Sequence, residues 1–279
     1  MAKYSYKHLT CLGQKLGFLD NEVDSEEVLL FFHGFPERAY TWERYLDYYK
    51  NKGVRAIAIE LKGYKESPCS SNDLGEYSLD VVCNEIIDFK KQLKLKNVHL
   101  VGHDWGAIVV WYLSTFYHES FMNAVTLNAP HWLVFKKALL SNPKQMMKSW
   151  YIFLINIKKL SMKLLKINDF QLLKSSIKKG SHGKLPDALI ESYCATWAEC
   201  LPSMTSWYRA MRYTKDSDDK VKVPMILLMG DKDPFFVKSL AQQSMEYCED
   251  GRFTFVKDCA HFIHHENEAV VLKELDQLI

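Results

Sequence analysis

"HLVGHDWGAIVV", residues 99–110, decides how the rest of the chain is read. The run 99–103 has the apolar character of a buried strand, and the segment from 105 onward that of a helix. Gly102 and Gly106 flank a bend with Asp104 at its apex. A strand, a tight glycine-flanked turn and a helix make a nucleophile elbow: the G-x-S-x-G spacing exposes the central side chain and aims the next backbone N–H at the reacting group. Here the central residue is a carboxylate. The plainer alternative for Asp104 is a helix N-cap, so the ends of the other strands must choose between the two readings.

Working outward, 4–20 reads as two short strands around Gly13, and "EVLLFFHGFPE" as a buried strand from 28 to 33 that stops at His33-Gly34. A helix over 41–51, a strand over 54–61, an amphipathic helix over 79–93, the strand "NVHLVGH", a helix over 105–117 and a strand over 121–127 follow. Alternating strands and helices predict the α/β class, a mostly parallel sheet with helices on both faces. From His131 to Lys222 the alternation stops and the periodicity is helical; it resumes with "VPMILLMGDKDP" (223–234), a helix to 248, the strand "RFTFVKD" and a helix from 267. The expectation is a core of residues 1–130 and 223–279 with a helical lid, 131–222, inserted between them, the acidic "KDSDDK" (215–220) leading back into the sheet.

Charge separates the same two parts. Residues 131–222 hold 17 Lys and Arg against 7 Asp and Glu, while the whole chain is at +2, so the remainder is acidic. An overall charge so near balance gives no warrant for a nucleic-acid partner. Seven cysteines without a C-x-x-C pair exclude a disulfide framework or a structural zinc site and point to reduced thiols. The start "MAKYSYKHLT" has no apolar signal region, and no run of about 18 apolar residues follows. The expected setting is cytoplasmic, with membrane association only if an anchor preceded this chain.

In an open parallel sheet, functional groups collect beyond the carboxyl ends of the strands. Three such ends carry Asp104, an aspartate at 231 or 233, and His261 in "DCAHFIHHE". His264 and His265 are expected to be surface residues where the last helix begins, and His103 and His131 to pack behind the site. In "HGFPE" (33–37), Gly34 lets backbone approach a ligand, Pro36 stiffens the loop, and Phe35 can present its N–H beside that of Trp105 as an oxyanion hole. His33, Gly34 and Pro36 are expected to form a substrate loop.

"HGFPE" and "GHDWGA" together make the chain resemble an α/β-hydrolase-fold epoxide hydrolase of the soluble type, over nearly its whole length. The resemblance implies the chain order nucleophile, acid, histidine. It selects Asp233, three residues past the strand-end glycine, over Asp231. It also implies two lid tyrosines that donate a proton to the epoxide oxygen: Tyr151, in "KSWYIFLIN", and Tyr208, in "SWYRAMRY". The family's "DLRGYGxS" loop stands here as "ELKGYKES", with Glu60, Lys62 and Lys65 at an expected site entrance, and the lid lacks the family's proline- and glycine-bearing turn after the first tyrosine.

An epoxide carbon offers no carbonyl to collapse through, so opening it needs a nucleophile and a proton on the departing oxygen. A carboxylate is a nucleophile at neutral pH without activation. The resemblance therefore implies an alkyl-enzyme ester on Asp104, hydrolysed by water that His261, oriented by Asp233, deprotonates. It implies no metal and no organic cofactor; the partner is a small hydrophobic epoxide, fatty-acid epoxides included, with the protein monomeric or homodimeric. Haloalkane and fluoroacetate dehalogenases share the Asp nucleophile and keep a competing reading open, as does a silent ligand-binding protein of this fold. "KQMMKSWYIFLINIKKLSMKLLK" (144–166) mixes Lys with aromatics as an interfacial membrane segment does; the plainer expectation is a lid whose apolar side roofs a cavity while its lysines face water.

Overall fold

Eight strands pair into one sheet: β1 (Lys7–Cys11), β2 (Gln14–Asp20), β3 (Glu27–Phe32), β4 (Arg55–Ile59), β5 (Asn97–His103), β6 (Asn123–Leu127), β7 (Met225–Gly230) and β8 (Gly251–Val256). The computed structural model describes residues 3–69 and 71–279. The spatial order is β1-β2-β4-β3-β5-β6-β7-β8. β1 and β2 form an antiparallel hairpin, β2 runs antiparallel to β4, and the remaining pairs are parallel. The hairpin turn is Leu12-Gly13 with φ of 49° and 87°, the left-handed pair that matches the twist of the strands it joins.

Strand side chains alternate between two cores. Val28, Leu30 and Phe32 of β3 and Ile57 and Ile59 of β4 point to one face, Leu29, Phe31, Ala56 and Ala58 to the other. Helices α2 (Leu79–Gln92) and α3 (Trp105–Phe116) cover the first face. α1 (Glu43–Asn51), with Tyr45, Leu46 and Tyr49, and the C-terminal helix, with Val271 and Leu275, cover the second. Both faces of the central parallel strands β3 to β7 are largely dry, which is why those strands read as apolar runs, whereas the edge strand β8 stays open to solvent.

Between β6 and β7, among the described residues, lie seven α-helices and no strand: α4 (Trp132–Ser141), α5 (Pro143–Lys148), α6 (Trp150–Asn156), α7 (Lys158–Lys166), α8 (Gln171–Gly180), α9 (Asp187–Met204) and α10 (Ser206–Ala210). After β7 come α11 (Ser239–Met245), α12 (Ile263–Glu266) and α13 (Glu268–Leu275). The helical excursion is tied to the sheet's carboxyl edge by buried donors: the Trp197 indole donates to Pro36 O (2.8 Å), that of Trp207 to Lys62 O (2.9 Å), and Ser203 Oγ to Gly63 O (2.6 Å). Each bond satisfies a loop carbonyl that folding removes from water.

The "ELKGYKES" loop differs from its expected place at the site entrance. Glu60 and Lys62 are buried. Glu60 holds Arg38 Nε at 2.7 Å, and Lys62 Nζ holds Glu85 at 2.6 Å and Glu76 at 3.1 Å. Only Lys65 is exposed. A Lys and a Glu survive inside because each finds an opposite charge there.

Candidate active site

Asp104 is placed by the elbow that its neighbours make possible. Its backbone sits at φ 50°, ψ −117°, a strained conformation for a residue with a Cβ. The strain is held by β6 on one side and α3 on the other: Asp104 N donates to Leu127 O, and Asp104 O accepts from Ile108 N. Glycine is required on both flanks, since a Cβ on Gly102 would strike the Gly106 carbonyl and one on Gly106 the Phe32 carbonyl. Gly34 is required as well, because a Cβ there would lie 2.5 Å from that of Asp104. That close approach lets Phe35 N–H donate to Asp104 Oδ1 at 2.9 Å. Trp105 is the first residue of α3, so its N–H has no acceptor within the helix.

Asp104 Oδ2 lies 3.7 Å from His261 Nε2, while Asp233 Oδ2 takes His261 Nδ1 at 2.9 Å. Asp233 is itself fixed: its Oδ1 accepts from Phe235 N (2.6 Å) and Phe236 N (3.2 Å), and its Oδ2 from Asn128 Nδ2 (2.7 Å). Burial pushes the His261 imidazole down, but the charges of Asp233 and Asp104 outweigh it and raise its pKa to about 10. Burial likewise pushes both carboxyls up, and His261 holds each below the usual range. Asp104 is thus ionised at neutral pH although no more than 14% of its side chain meets solvent.

Tyr151, from α6, and Tyr208, from α10, line the same cavity as Asp104 and His261, a space of about 460 Å³ otherwise walled by Phe35, Leu154, Ile155, Leu173 and Phe235. Their rings meet edge to face at 6.1 Å, and Tyr208 also packs edge-on against Phe35 and Trp105. Burial, then the negative charges of Asp104 and Asp233, push the Tyr151 phenol well above its usual range. Burial, Tyr151 and Asp104 do the same for Tyr208. Both phenols therefore stay protonated beside a carboxylate. A family model of the α/β-hydrolase fold matches residues 27–268.

The chain belongs to the α/β-hydrolase-fold family.

It is 28% identical over 249 residues to the AB hydrolase superfamily protein YfhM of Bacillus subtilis (strain 168), covering 88% of this chain and 87% of that one. It is 26% identical over 281 residues to epoxide hydrolase 3 of Xenopus tropicalis, covering 97% of this chain and 76% of the relative. The crystal structure of an epoxide hydrolase of Bacillus megaterium with a bound inhibitor superposes with a TM-score of 0.85 at 23% identity, covering 98% and 99% of the two chains. At that identity the structural likeness is one of fold.

Several features of this α/β-hydrolase differ from the sequence reading. His264 is not a surface residue: it is fully buried, and His265 is half-buried. Both Nε2 atoms reach Glu37 Oε1, at 3.2 and 3.1 Å, and His103 Nδ1 reaches Glu37 Oε2 at 3.0 Å. His103 Nε2 in turn lies 3.0 Å from the carbonyl of His261. Three imidazoles on one buried carboxylate thus brace the loop that carries His261. Glu37, His103 and His264 offer ligand atoms within 4.8 Å of one another, a set that could hold a metal ion; here each histidine bonds Glu37.

The substrate loop also divides. Phe35 and Pro36 line the cavity, whereas His33 is buried beneath it, its Nδ1 donating to Gly34 O and its Nε2 accepting from Leu61 N. His131 packs between Trp132 and Tyr247, away from the three strand ends. Asp231 does not reach His261. Sequence reasoning missed Asn128, whose only local signal is its place at the carboxyl end of β6, and Lys148, which donates to Asp233 O from α5.

Glu37→Gln is expected to destabilise the protein by about 3 kcal/mol at pH 7, because it leaves buried imidazoles without their carboxylate. Burial pushes the Glu37 carboxyl up, yet His264, His103 and His265 hold it well below its usual range. A depressed folded pKa contributes stability above the unfolded value, near 4.3, that is lost as pH falls through the folded one. Urea denaturation of both proteins should therefore show a gap that is full at pH 7 and closes below about pH 4.

Proposed function

We propose that this α/β-hydrolase converts a hydrophobic epoxide and water to a vicinal diol through an ester on Asp104. The observation that carries the reading is one apolar cavity into which an ionised carboxylate and two high-pKa phenols all project. Asp104 Oδ1 is taken by the Phe35 N–H, which leaves Oδ2 to attack a ring carbon. The carbon–oxygen bond breaks, its electrons pass to the epoxide oxygen, and Tyr151 or Tyr208 supplies the proton.

Esterification removes the Asp104 charge, one of the two that raise the His261 pKa to about 10. The imidazole then deprotonates more readily and takes a proton from water that attacks the ester carbonyl. Oδ1, as the developing oxyanion, keeps the Phe35 N–H and takes that of Trp105 as its second donor, each worth roughly 3 kcal/mol in comparable sites. Collapse expels the diol oxygen, protonated by His261. The second water proton, released when the Asp104 carboxyl ionises, restores the phenol. Asp233 with Asn128 holds the imidazole orientation throughout.

On this reading residues 131–222 are a lid inserted between 1–130 and 223–279: the lid supplies the proton donors and the sheet the nucleophile and base. The seven free thiols fit a reducing, cytoplasmic setting. Diol formation from a panel of aliphatic, aromatic and fatty-acid epoxides tests the proposal. Tyr208→Phe and Tyr151→Phe keep the ring packing and remove only the donor, so each should lower kcat/KM about a hundredfold, and the pair more. Halide release from halogenated substrates, undiminished in the paired variant, would instead assign a dehalogenase; ligand binding without turnover would assign a silent binder.

A further inference from the structure

Among the described residues, eight of the thirteen exposed large apolar side chains fall within residues 146–172, and the other five are scattered. Met147 (77% exposed), Trp150 (57%), Phe153 (52%), Ile157 (56%) and Leu160 (43%) recur at intervals of three or four residues along α5, α6 and α7, and Leu172 opens α8 beside them. The expected lid has its apolar side inward and lysines outward. The inward side is as expected, with Ile155, Leu165, Leu173 and Ile177 against the cavity. The outward side carries lysines and large apolar groups together. Apolar groups gathered on an outer face mark a surface that meets something else.

Charge identifies what it meets. Residues 141–186 hold ten lysines and one acidic residue, Asp169. Among the described residues only Lys174 and Lys178 of the ten pair with carboxylates, which leaves eight without a carboxylate partner, among them the exposed Lys158, Lys159, Lys163, Lys166 and Lys179. An apolar row flanked by free lysines complements an anionic lipid headgroup layer over acyl chains, with the Trp150 indole suited to the boundary. No described helix is long and apolar enough to cross a membrane, so the contact lies in the plane of the interface.

The patch is continuous with the cavity. Met147, Trp150 and Leu172 line its outer part, as Asp104 and His261 line its inner end. We propose that the face formed by α5 to α8 docks on an anionic bilayer, so that the cavity opens toward the lipid and draws its apolar ligand from there. This goes beyond the epoxide reading and does not rest on it, because docking is measured without turnover.

Co-sedimentation of the full chain with phosphatidylcholine vesicles, with and without phosphatidylserine, tests the proposal. Binding is expected only with phosphatidylserine, at low salt, and to be lost at high salt. Phe153→Ser with Ile157→Ser, and separately Lys159→Gln with Lys163→Gln and Lys166→Gln, should each weaken it about tenfold or more while the thermal melt is retained. No binding to phosphatidylserine vesicles at low salt overturns the proposal. So does full binding by the serine pair, which would mean charge attraction alone, and so does a wild-type dimer in light scattering that the serine pair dissociates, which would make the occupant a second copy.

Discussion

His261→Gln mixed with an epoxide is expected to gain the mass of one substrate molecule on Asp104 and to stop there. On the proposed route the first half of the reaction uses the Asp104 carboxylate and the phenols of Tyr151 and Tyr208, none of which the substitution removes. The second half needs a base for water, and Gln has none, so steady-state diol formation should fall roughly 10³-fold, within the usual range for loss of a general base. Intact-protein mass spectrometry should show the adduct within one turnover, and peptide mapping should place it in the "GHDWGA" segment. An unmodified protein, or an adduct elsewhere, rules out the Asp104 ester. Gln also removes a cation that holds Asp104 below its usual range, so alkylation in the variant should need a somewhat higher pH than in the wild type.

Asp104→Ala is expected to abolish both diol formation and the adduct, a loss larger than any other single change in the site. No neighbour can replace the nucleophile: Asp233 is the other buried carboxylate in reach of His261, and its two oxygens are taken by His261, Asn128 and two backbone N–H groups. The variant has a second signature that does not depend on substrate. Burial lowers the His261 pKa and the charges of Asp233 and Asp104 raise it to about 10. Removing Asp104 leaves burial opposed by Asp233 alone, so the imidazole should titrate at lower pH. The sign follows from linkage: a raised folded pKa stabilises the protein fully below the unfolded value of about 6.5, and that contribution is lost as pH rises through the folded one. Imidazole proton or nitrogen shifts followed over pH in both proteins measure it. An unchanged midpoint would mean that the 3.7 Å pair between Asp104 and His261 carries no interaction.

How much of this was legible before the tertiary structure depends on the range of the interaction concerned. Asp104 was legible because its signal is local: two glycines, needed for close strand and helix approach, stand two residues to either side. Asp233 and His261 follow strand ends, where an open parallel sheet collects its chemistry. The order of sheet and helices was legible for the same reason, since the period of the apolar residues changes from strand to helix within a few residues. Tyr151 and Tyr208 came only through family resemblance. In a chain with fifteen tyrosines, nothing in their periodicity separates them from packing residues.

Glu37 was not legible as the centre of a histidine cluster, because its partners lie 66, 227 and 228 residues away. The error over His264 and His265 has that cause: two adjacent polar residues where a helix begins resemble a surface segment until a buried carboxylate from another loop meets them. Lys62 is similar, its burial set by Glu85 on α2. The sequence shows that apolar residues recur along α5 to α7, but a one-dimensional pattern has no inside and outside.

The family resemblance supplied the proposed order of nucleophile, acid and histidine, but the amino-acid sequence by itself determined the α/β architecture and the elbow that exposes a carboxylate. These rest on backbone sterics and on apolar periodicity, both properties of neighbouring residues. Only the tertiary structure decided which buried charges are paired, which histidines brace His261, and which apolar side of the helices between β6 and β7 faces the cavity and which faces out. Burial and electrostatic pairing are set by distances in space, and in this chain those distances join residues far apart in sequence.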